Sequence, residues 1–564
     1  MRITKILFGI GTLVSLIGCS SANVAESSSA AKAIQSKAVP AGDMNAVVMA
    51  AKNGKMSESE IEAWPHADIL TDTVPGMSLA QAYKFLEGKK VNTIVVGVID
   101  SGIDINHEDL KDQVWTNPKD IAGNNVDEDK NGHTDDAHGW NFLGGEKGKA
   151  TPEQLEVTRL YKKYSAKYAG VDPAAVPEKD KKEYESYLKI KADFEKRLAE
   201  ATKNYEYFQG LSVTLKDADA AVKTKLGKSD YTLADLNALP EAEKNPMLLR
   251  IYSSGGTVAD AEEQLKGGID YYGSQVKTMY NLDFNGRAAT GDNPDDIKDL
   301  KYGNPWVIGS VEDESHGSHV AGIVLASRNN GKGMNGVTNN VKLITARAVP
   351  DGDEYDKDVA LAIRYMADMG AKVVNMSFGK SYSPNAEWVY EAIKYAESKD
   401  VLLVHAAGND GKDIDKSDNF PTDTPDKLKE IVGNYITVGA STRNYNEKLV
   451  AGFSNYGKRL VDIFAPGLEI YSTVPNNKYE SLQGTSMAAP QVAGVAALIR
   501  SYYPELSAKQ VKQIIMNSGT KVDLEVILPK GEGKKVPFSE LSVSGRVLNA
   551  HNAVKMADSM VNGK

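Results

Sequence analysis

Four short stretches, far apart in the chain, carry side chains able to do chemistry together. "GTSMAAP" holds Ser486, "ESHGSHVAGIV" holds His316 and His319, "VIDSGIDINHEDL" holds Asp100, and "HAAGNDG" holds Asn409. A serine hydroxyl is a poor nucleophile unless a neutral imidazole takes its proton during attack. A carboxylate on the other ring nitrogen fixes the tautomer and stabilises the imidazolium, while N–H donors meet the oxyanion of the tetrahedral intermediate. Asp100, His316, Ser486 and Asn409 have the residue types that such acyl transfer requires. Each also has a plainer reading taken singly: a serine helix cap, a solvated aspartate after a strand, an asparagine in a Gly-Asn-Asp-Gly turn. His316 and His319 stand three apart, so they could share a helix face and bind a metal, but no cysteine or third histidine motif joins them.

The elements that would position this set are legible from hydropathy. Met487 to Ile499 is apolar almost all round except Gln491, which predicts a buried helix with Ser486 at its N-terminus and Pro490 in its first turn. "TIVVGVID" (93–100), "VKLITARAV" (341–349), "AKVVNMSFG" (371–379), "VLLVHAAGN" (401–409) and "NYITVGAS" (434–441) are short β-branched runs. Amphipathic patterns such as "KDVALAIRYMADMG" and "NAEWVYEAIKYAESK" lie between them. Continuous apolar strands alternating with helices predict an α/β fold, a doubly wound parallel sheet covered on both faces. Asp100 and Asn409 end two of these runs, at the carboxyl edge where such sheets gather their chemistry. Residues 143–299 break the pattern and predict a mainly helical insertion. Val157, Tyr161, Tyr164 and Tyr168, then Tyr187, Ile190, Phe194, Leu198, Ala201, Tyr205 and Phe208, recur at helical spacing.

In the order Asp, His, Ser, these motifs resemble the subtilisin-like serine peptidases, as do "VVNMSFG" and "FSNYGKRLVDIFAPG". The resemblance covers roughly 72–142 and 300–540. It implies a peptidase domain of residues 72–142 and 300–564, with Asp100, His316 and Ser486 as triad and Asn409 in an oxyanion hole. It implies a polypeptide substrate paired on one side with Ser377, Phe378 and Gly379 and on the other with the edge from Gly352 to Tyr355. Asp109 and Asn330 match side-chain ligands of a calcium site. Alternatives of another class are an inactive binding protein on the same fold, or an amidase or esterase using the same triad. The insertion interrupts the chain between Asp100 and His316, so it either restricts or serves the cleft, or is a peripheral elaboration.

A second calcium expectation rests on "DEDKNGHTDD". Asp127, Asp129 and Asn131 alternate before Gly132, with Asp135 at the ninth position, like the opening of a calcium loop; the twelfth residue is His138 instead of glutamate. No organic cofactor is implied. A formal net charge of −10 argues against a nucleic-acid partner. The N-terminus, "MRITKILFGIGTLVSLIGCSS", has a basic start and an apolar run too short to span a bilayer, which predicts a signal peptide over 1–18. Its end resembles a bacterial lipobox, with Cys19, the chain's one cysteine, as the lipidated residue. Residues 19–71 then read as a tether from a lipid anchor, outside the cytoplasm on a bacterial membrane, the outer membrane if the source is Gram-negative.

Overall fold

The computed structural model describes residues 49–145, 148–309 and 315–563. Cys19, the signal peptide and the start of the tether lie outside these residues. Contacts divide the described chain into two units, one of 49–194 and 278–564 and one of 195–277.

The larger unit is built on nine strands. They are β1 (Ile94–Asp100), β2 (Gly139–Asn141), β3 (Val341–Arg347), β4 (Ala371–Met376), β5 (Leu402–Ala406), β6 (Tyr435–Ser441), β7 (Ile463–Pro466), β8 (Thr520–Lys521) and β9 (Arg546–Val547). Their order across the sheet is β8-β9-β7-β6-β5-β4-β1-β3-β2. All neighbours are parallel except β8 and β9 at one margin. Successive side chains of a strand face opposite ways, and these strands feed two cores. Val96, Val98, Leu343, Val373 and Val404 enter one, while Ile99, Ile344, Ala346, Val374 and Leu403 enter the other. Both faces are apolar, so the strands read as unbroken hydrophobic runs instead of alternating ones.

Helix α1 (Glu58–Ala63) precedes α2 (Leu79–Leu86), and α3 (Glu156–Tyr168) and α4 (Lys181–Leu226) follow β2. The helices of the sheet are α5 (Ser315–Leu325), α6 (Asp356–Asp368), α7 (Ala386–Ser398), α8 (Thr485–Tyr502), α9 (Ala508–Ser518) and α10 (Ala550–Asn562). Residues of α2, α5, α8, α9 and α10 fill the first core, and those of α6 and α7 the second. No described helix is long and apolar enough to cross a membrane.

Three expectations need correction. The tether does not extend to residue 71: Ser57 caps α1 through a capping box, and Trp64 is buried with its indole N–H donating to the Leu468 carbonyl at 3.1 Å. The helical insertion expected over 143–299 is divided between the two units. Residues 143–194 and 278–299 belong to the larger unit, where Tyr161 stacks on Phe194 at 4.4 Å and Tyr168 meets Tyr187 at 5.7 Å. Only 195–277 forms the second unit, packed around Leu215, Val222, Leu236, Leu248 and Ile251, with Phe208 stacked on Tyr272. Finally, α8 starts at Thr485, so Pro490 is its sixth residue and lies beyond the first turn.

Candidate functional site

Asp100 is the last residue of β1 and is 1% exposed. Its Oδ1 accepts the Ser101 N–H at 2.8 Å and bonds His316 Nδ1 at 2.7 Å, while its Oδ2 has no hydrogen-bond partner. His316 is the second residue of α5, which approaches Asp100 this closely because residue 317 is glycine. A Cβ there would stand 2.2 Å from the Gly102 carbonyl oxygen and 3.2 Å from the Asp100 Cβ. Burial works against the imidazolium, but the charge and hydrogen bond of Asp100 outweigh it and hold His316 above its ordinary pKa. The His316 side chain keeps 39% of its surface exposed, which leaves it reachable.

Ile99 pairs with Met376 in the β1–β4 register, so Asp100 and Ser377 leave the same sheet edge on neighbouring strands, about 4.8 Å apart by strand spacing. Ser377 is locked to Ser486 in both directions. The Ser486 hydroxyl donates to the Ser377 carbonyl at 3.1 Å, and the Ser377 hydroxyl donates to the Ser486 carbonyl at 2.8 Å. The displaced proline explains the second bond. Pro490 has no N–H for the carbonyl four residues back, and that carbonyl belongs to Ser486.

Asn409 follows β5. Its side-chain oxygen accepts the Thr485 N–H at 2.8 Å and the Thr485 hydroxyl at 3.0 Å, and the same hydroxyl oxygen accepts the Gly408 N–H at 3.0 Å. The Asn409 amide nitrogen is thereby turned toward Gly484. A Cβ on Gly484 would lie 3.3 Å from that nitrogen and 3.5 Å from the Ser486 backbone nitrogen, so two N–H donors face one space that only glycine leaves open. A cleft of ≈ 310 Å³ adjoins them, lined by Phe378, Gly379, Lys380, Asn409, Asp410 and Ser486 among others.

His319 stands apart from this set. It is buried, its Nε2 bonds the Ile470 and Glu480 carbonyls at 2.9 and 3.1 Å, and burial first of all pulls its pKa down to about 3. It is a neutral packing residue.

Of the expected substrate edges, residues 377–379 follow directly after the end of β4. The edge from Gly352 to Tyr355 is not open. Asp351 N–H donates to the Thr151 carbonyl at 2.6 Å, Glu153 N–H donates to the Asp351 carbonyl at 2.9 Å, and a Cβ on Gly352 would stand 2.3 Å from the Glu153 carbonyl oxygen. Tyr355 has the guanidinium carbons of Arg159 and Arg287 over its ring at 3.9 and 4.8 Å. Residues 151–159, from the inserted segment, cover this side.

Both calcium expectations change in detail. Asp127 accepts the N–H groups of Asn131 and Gly132, and Asn131 Nδ2 reaches Asp129 and Asp136 at 3.2 and 2.8 Å. Asp135 does not join them. Its positive φ of 61° turns its carboxylate back to the Asn124 and Asn125 N–H groups, and Asp136 takes the inner place. Burial, then the neighbouring carboxyls of Glu128 and Asp136, push Asp120 up to about 7. These are hard oxygen donors with more negative charge than their own N–H partners balance, a donor set that suits calcium. Elsewhere Asn330 Nδ2 donates to Asp109 Oδ1, and the Tyr479 hydroxyl donates to Asp109 Oδ2 at 3.0 Å. An ion there would need the Asn330 amide turned over. Among the described residues, no three His, Cys, Asp or Glu side chains close up as a metal cage.

Sequence reasoning missed Ser377 as the lock on Ser486, Thr485 as the holder of Asn409, and His405. His405 is buried within β5, and its Nε2–H donates to the Phe378 carbonyl at 2.8 Å, fixing the strand end beside the cleft. Its only signal was an imidazole inside an apolar run.

Fold and site together define a class: parallel α/β proteins with aspartate, histidine and serine gathered at the carboxyl edge of the sheet. Residues 91–534 match the profile of the subtilase family, and the chain belongs to that family. It is 33% identical over 303 residues to Subtilisin-like protease 1 of Plasmodium falciparum, covering 50% of this chain and 42% of that protein. It is 37% identical over 208 residues to Thermitase of Thermoactinomyces vulgaris, covering 37% of this chain and 68% of that one. A solved protease from Pseudoalteromonas arctica aligns over 88% of this chain and 97% of its own at 19% identity, with a TM-score of 0.43. The chain thus spans less than half the length of some of the curated relatives it matches.

Proposed function

We propose that this chain is a serine endopeptidase that hydrolyses peptide bonds in proteins. The observation that carries the reading is the 2.7 Å bond between Asp100 and His316 at the sheet edge where Ser377 holds Ser486. On substrate binding the Ser486 hydroxyl exchanges the Ser377 carbonyl for His316 Nε2. Its oxygen attacks the scissile carbonyl carbon while its proton passes to His316. The Asn409 amide and the Ser486 N–H hold the oxyanion, and Asp100 stabilises the imidazolium. Collapse breaks the C–N bond as His316 protonates the leaving amine, and water repeats the sequence on the acyl-enzyme. The vacated Ser377 carbonyl accepts a substrate N–H, and pairing along 377–379 explains why polypeptide suits the site.

We further propose structural calcium held by Asp127, Asp129, Asn131 and Asp136, with a second site at Asp109 and Asn330. Bound calcium would supply charge compensation and stability only. Lipidation of Cys19 and an extracytoplasmic, membrane-anchored location are proposed on the motif around Cys19.

A fluorophosphonate probe tests the enzyme reading. Covalent labelling at Ser486, lost in His316→Ala, is expected together with cleavage of casein. An unlabelled Ser486 would favour an inactive binding protein, and turnover of small esters or amides without casein cleavage would favour an amidase or esterase.

A further inference from the structure

The strand end 377–379 runs directly into Lys380, whose backbone pairs both ways with Phe420. The Lys380 side chain is 2% exposed and does not follow its strand. It crosses to the opposite wall, where Nζ donates to the Glu354 carbonyl at 2.7 Å and meets Asp356 at 2.8 Å and Glu156 at 2.9 Å. Glu156 belongs to the inserted segment and is also bound by Arg159 at 2.6 Å. Arg159 in turn donates to the Gln154 and Asp353 carbonyls at 2.9 and 3.0 Å. Burial opposes the Glu156 charge, but Arg159 and Lys380 prevail and hold its pKa at about 2.

A peptide strand lying between two strand edges needs about twice the 4.8 Å strand spacing. Residues 378 and 379 line the open cleft, and from 380 the buried lysine side chain reaches over to the Glu354–Asp356 segment. We propose that Lys380, clamped by Glu156 and Asp356, is a specificity-determining wall that ends strand pairing with substrate at the third residue on the acyl side of the scissile bond. Residues 377, 378 and 379 give about 10 Å of edge, enough for three extended residues at ~3.3 Å each. Longer chains turn out into solvent and gain no further main-chain hydrogen bonds. The inserted segment therefore acts on the cleft through Glu156, by holding the lysine across it. This inference rests on the peptidase reading above.

The test uses the full chain and fluorogenic peptide amides blocked at the N-terminus, with one to five acyl-side residues. In the wild-type protein kcat/KM is expected to rise through the third residue and then stay within about twofold for the fourth and fifth. In Lys380→Ala the ratio between five- and three-residue substrates is expected to rise about tenfold as the fourth and fifth residues take the space the lysine leaves, while the backbone of 380 stays paired with Phe420. A wild-type gain of tenfold between three and five residues would overturn the wall, whether or not the variant folds. An unchanged ratio in a folded Lys380→Ala, or in the milder Lys380→Gln, would overturn the assignment to this residue. Failure of the peptidase reading would show separately, as no turnover at any length together with no probe labelling, and would take the proposal down with it.

Discussion

Replacing Asp100 by asparagine isolates a charge with little change of shape, because of how the carboxylate is held. Both hydrogen bonds, from the Ser101 N–H and from His316, go to Oδ1, and Oδ2 has no partner. An asparagine oxygen can therefore keep both contacts and leave its amide group in the unpartnered position, so His316 keeps its orientation and Nδ1–H tautomer. What disappears is the negative charge that lifts the His316 pKa against burial. Two unit charges about 4 Å apart interact by ~4 kcal/mol at an effective dielectric of ~20. With 39% of the His316 side chain exposed, solvent screening reduces this to about 2 kcal/mol. At 1.36 kcal/mol per decade, the plateau rate should fall by about 30-fold, and the acid limb of kcat/KM should move to lower pH. The sign follows from the base being active when neutral: without Asp100 the imidazole loses its proton at lower pH, yet the imidazolium formed during attack is less stable. Stopped-flow or plate assays of one peptide amide from pH 4 to 9 measure both quantities. An acid limb that stays in place would refute the electrostatic argument, and a plateau within twofold of wild type would remove the Asp100 charge from the mechanism.

Two further outcomes follow from the same geometry. Thr485→Val removes the hydroxyl that holds Asn409 and accepts the Gly408 N–H, while the Thr485 N–H bond to Asn409 remains. A fall in kcat of about tenfold at nearly constant KM is expected from the loss of that hold, below the ~10²–10³ attached to losing an oxyanion donor outright, and a KM effect alone would contradict it. Calcium removal should lower Tm, by an amount that grows with pH. Asp120, pushed up to about 7 in the folded chain, keeps its proton there between about pH 4 and 7 while the unfolded chain has lost it, so metal-free stability declines as pH rises through that window. Calcium favours the ionised form and offsets the decline, by ~2.7 kcal/mol at a hundred times its Kd. A chelator effect that is absent, or equal at pH 5.5 and 8, would count against the loop as a calcium site.

The sheet and the motifs of the candidate site were readable from the chain because both leave local marks. A strand buried on two faces must be apolar throughout, and β1, β3, β4, β5 and β6 lie within the runs picked out by that rule. Asp100 was conspicuous because it terminates such a run. By contrast, Thr485, Ser377 and His405 act through bonds to residues distant in the chain, and a threonine, serine or histidine carries no local sign of a distant partner. The choice between Asp135 and Asp136 was equally hidden, since it turns on one residue's positive φ within a pair of identical side chains.

The inserted segment shows the same limit with a functional consequence. Its Lys- and Glu-rich helical pattern is alike on both sides of Phe194, so periodicity could not separate the part that builds the larger unit from the part that folds around Leu236 and Leu248. Nor could it show that Glu156, in a stretch that reads as a solvated face, is buried against Lys380. A lysine directly after Ser-Phe-Gly looks like an exposed residue at a strand end until its three oxygen partners are known. Burying one cation among carboxylates requires that all of them stay paired. The wall and the insertion are therefore coupled: Glu156→Ala would remove one of the lysine's three oxygen partners and loosen its hold, and the cleft would then report, through its peptide-length preference, on a residue outside its own lining.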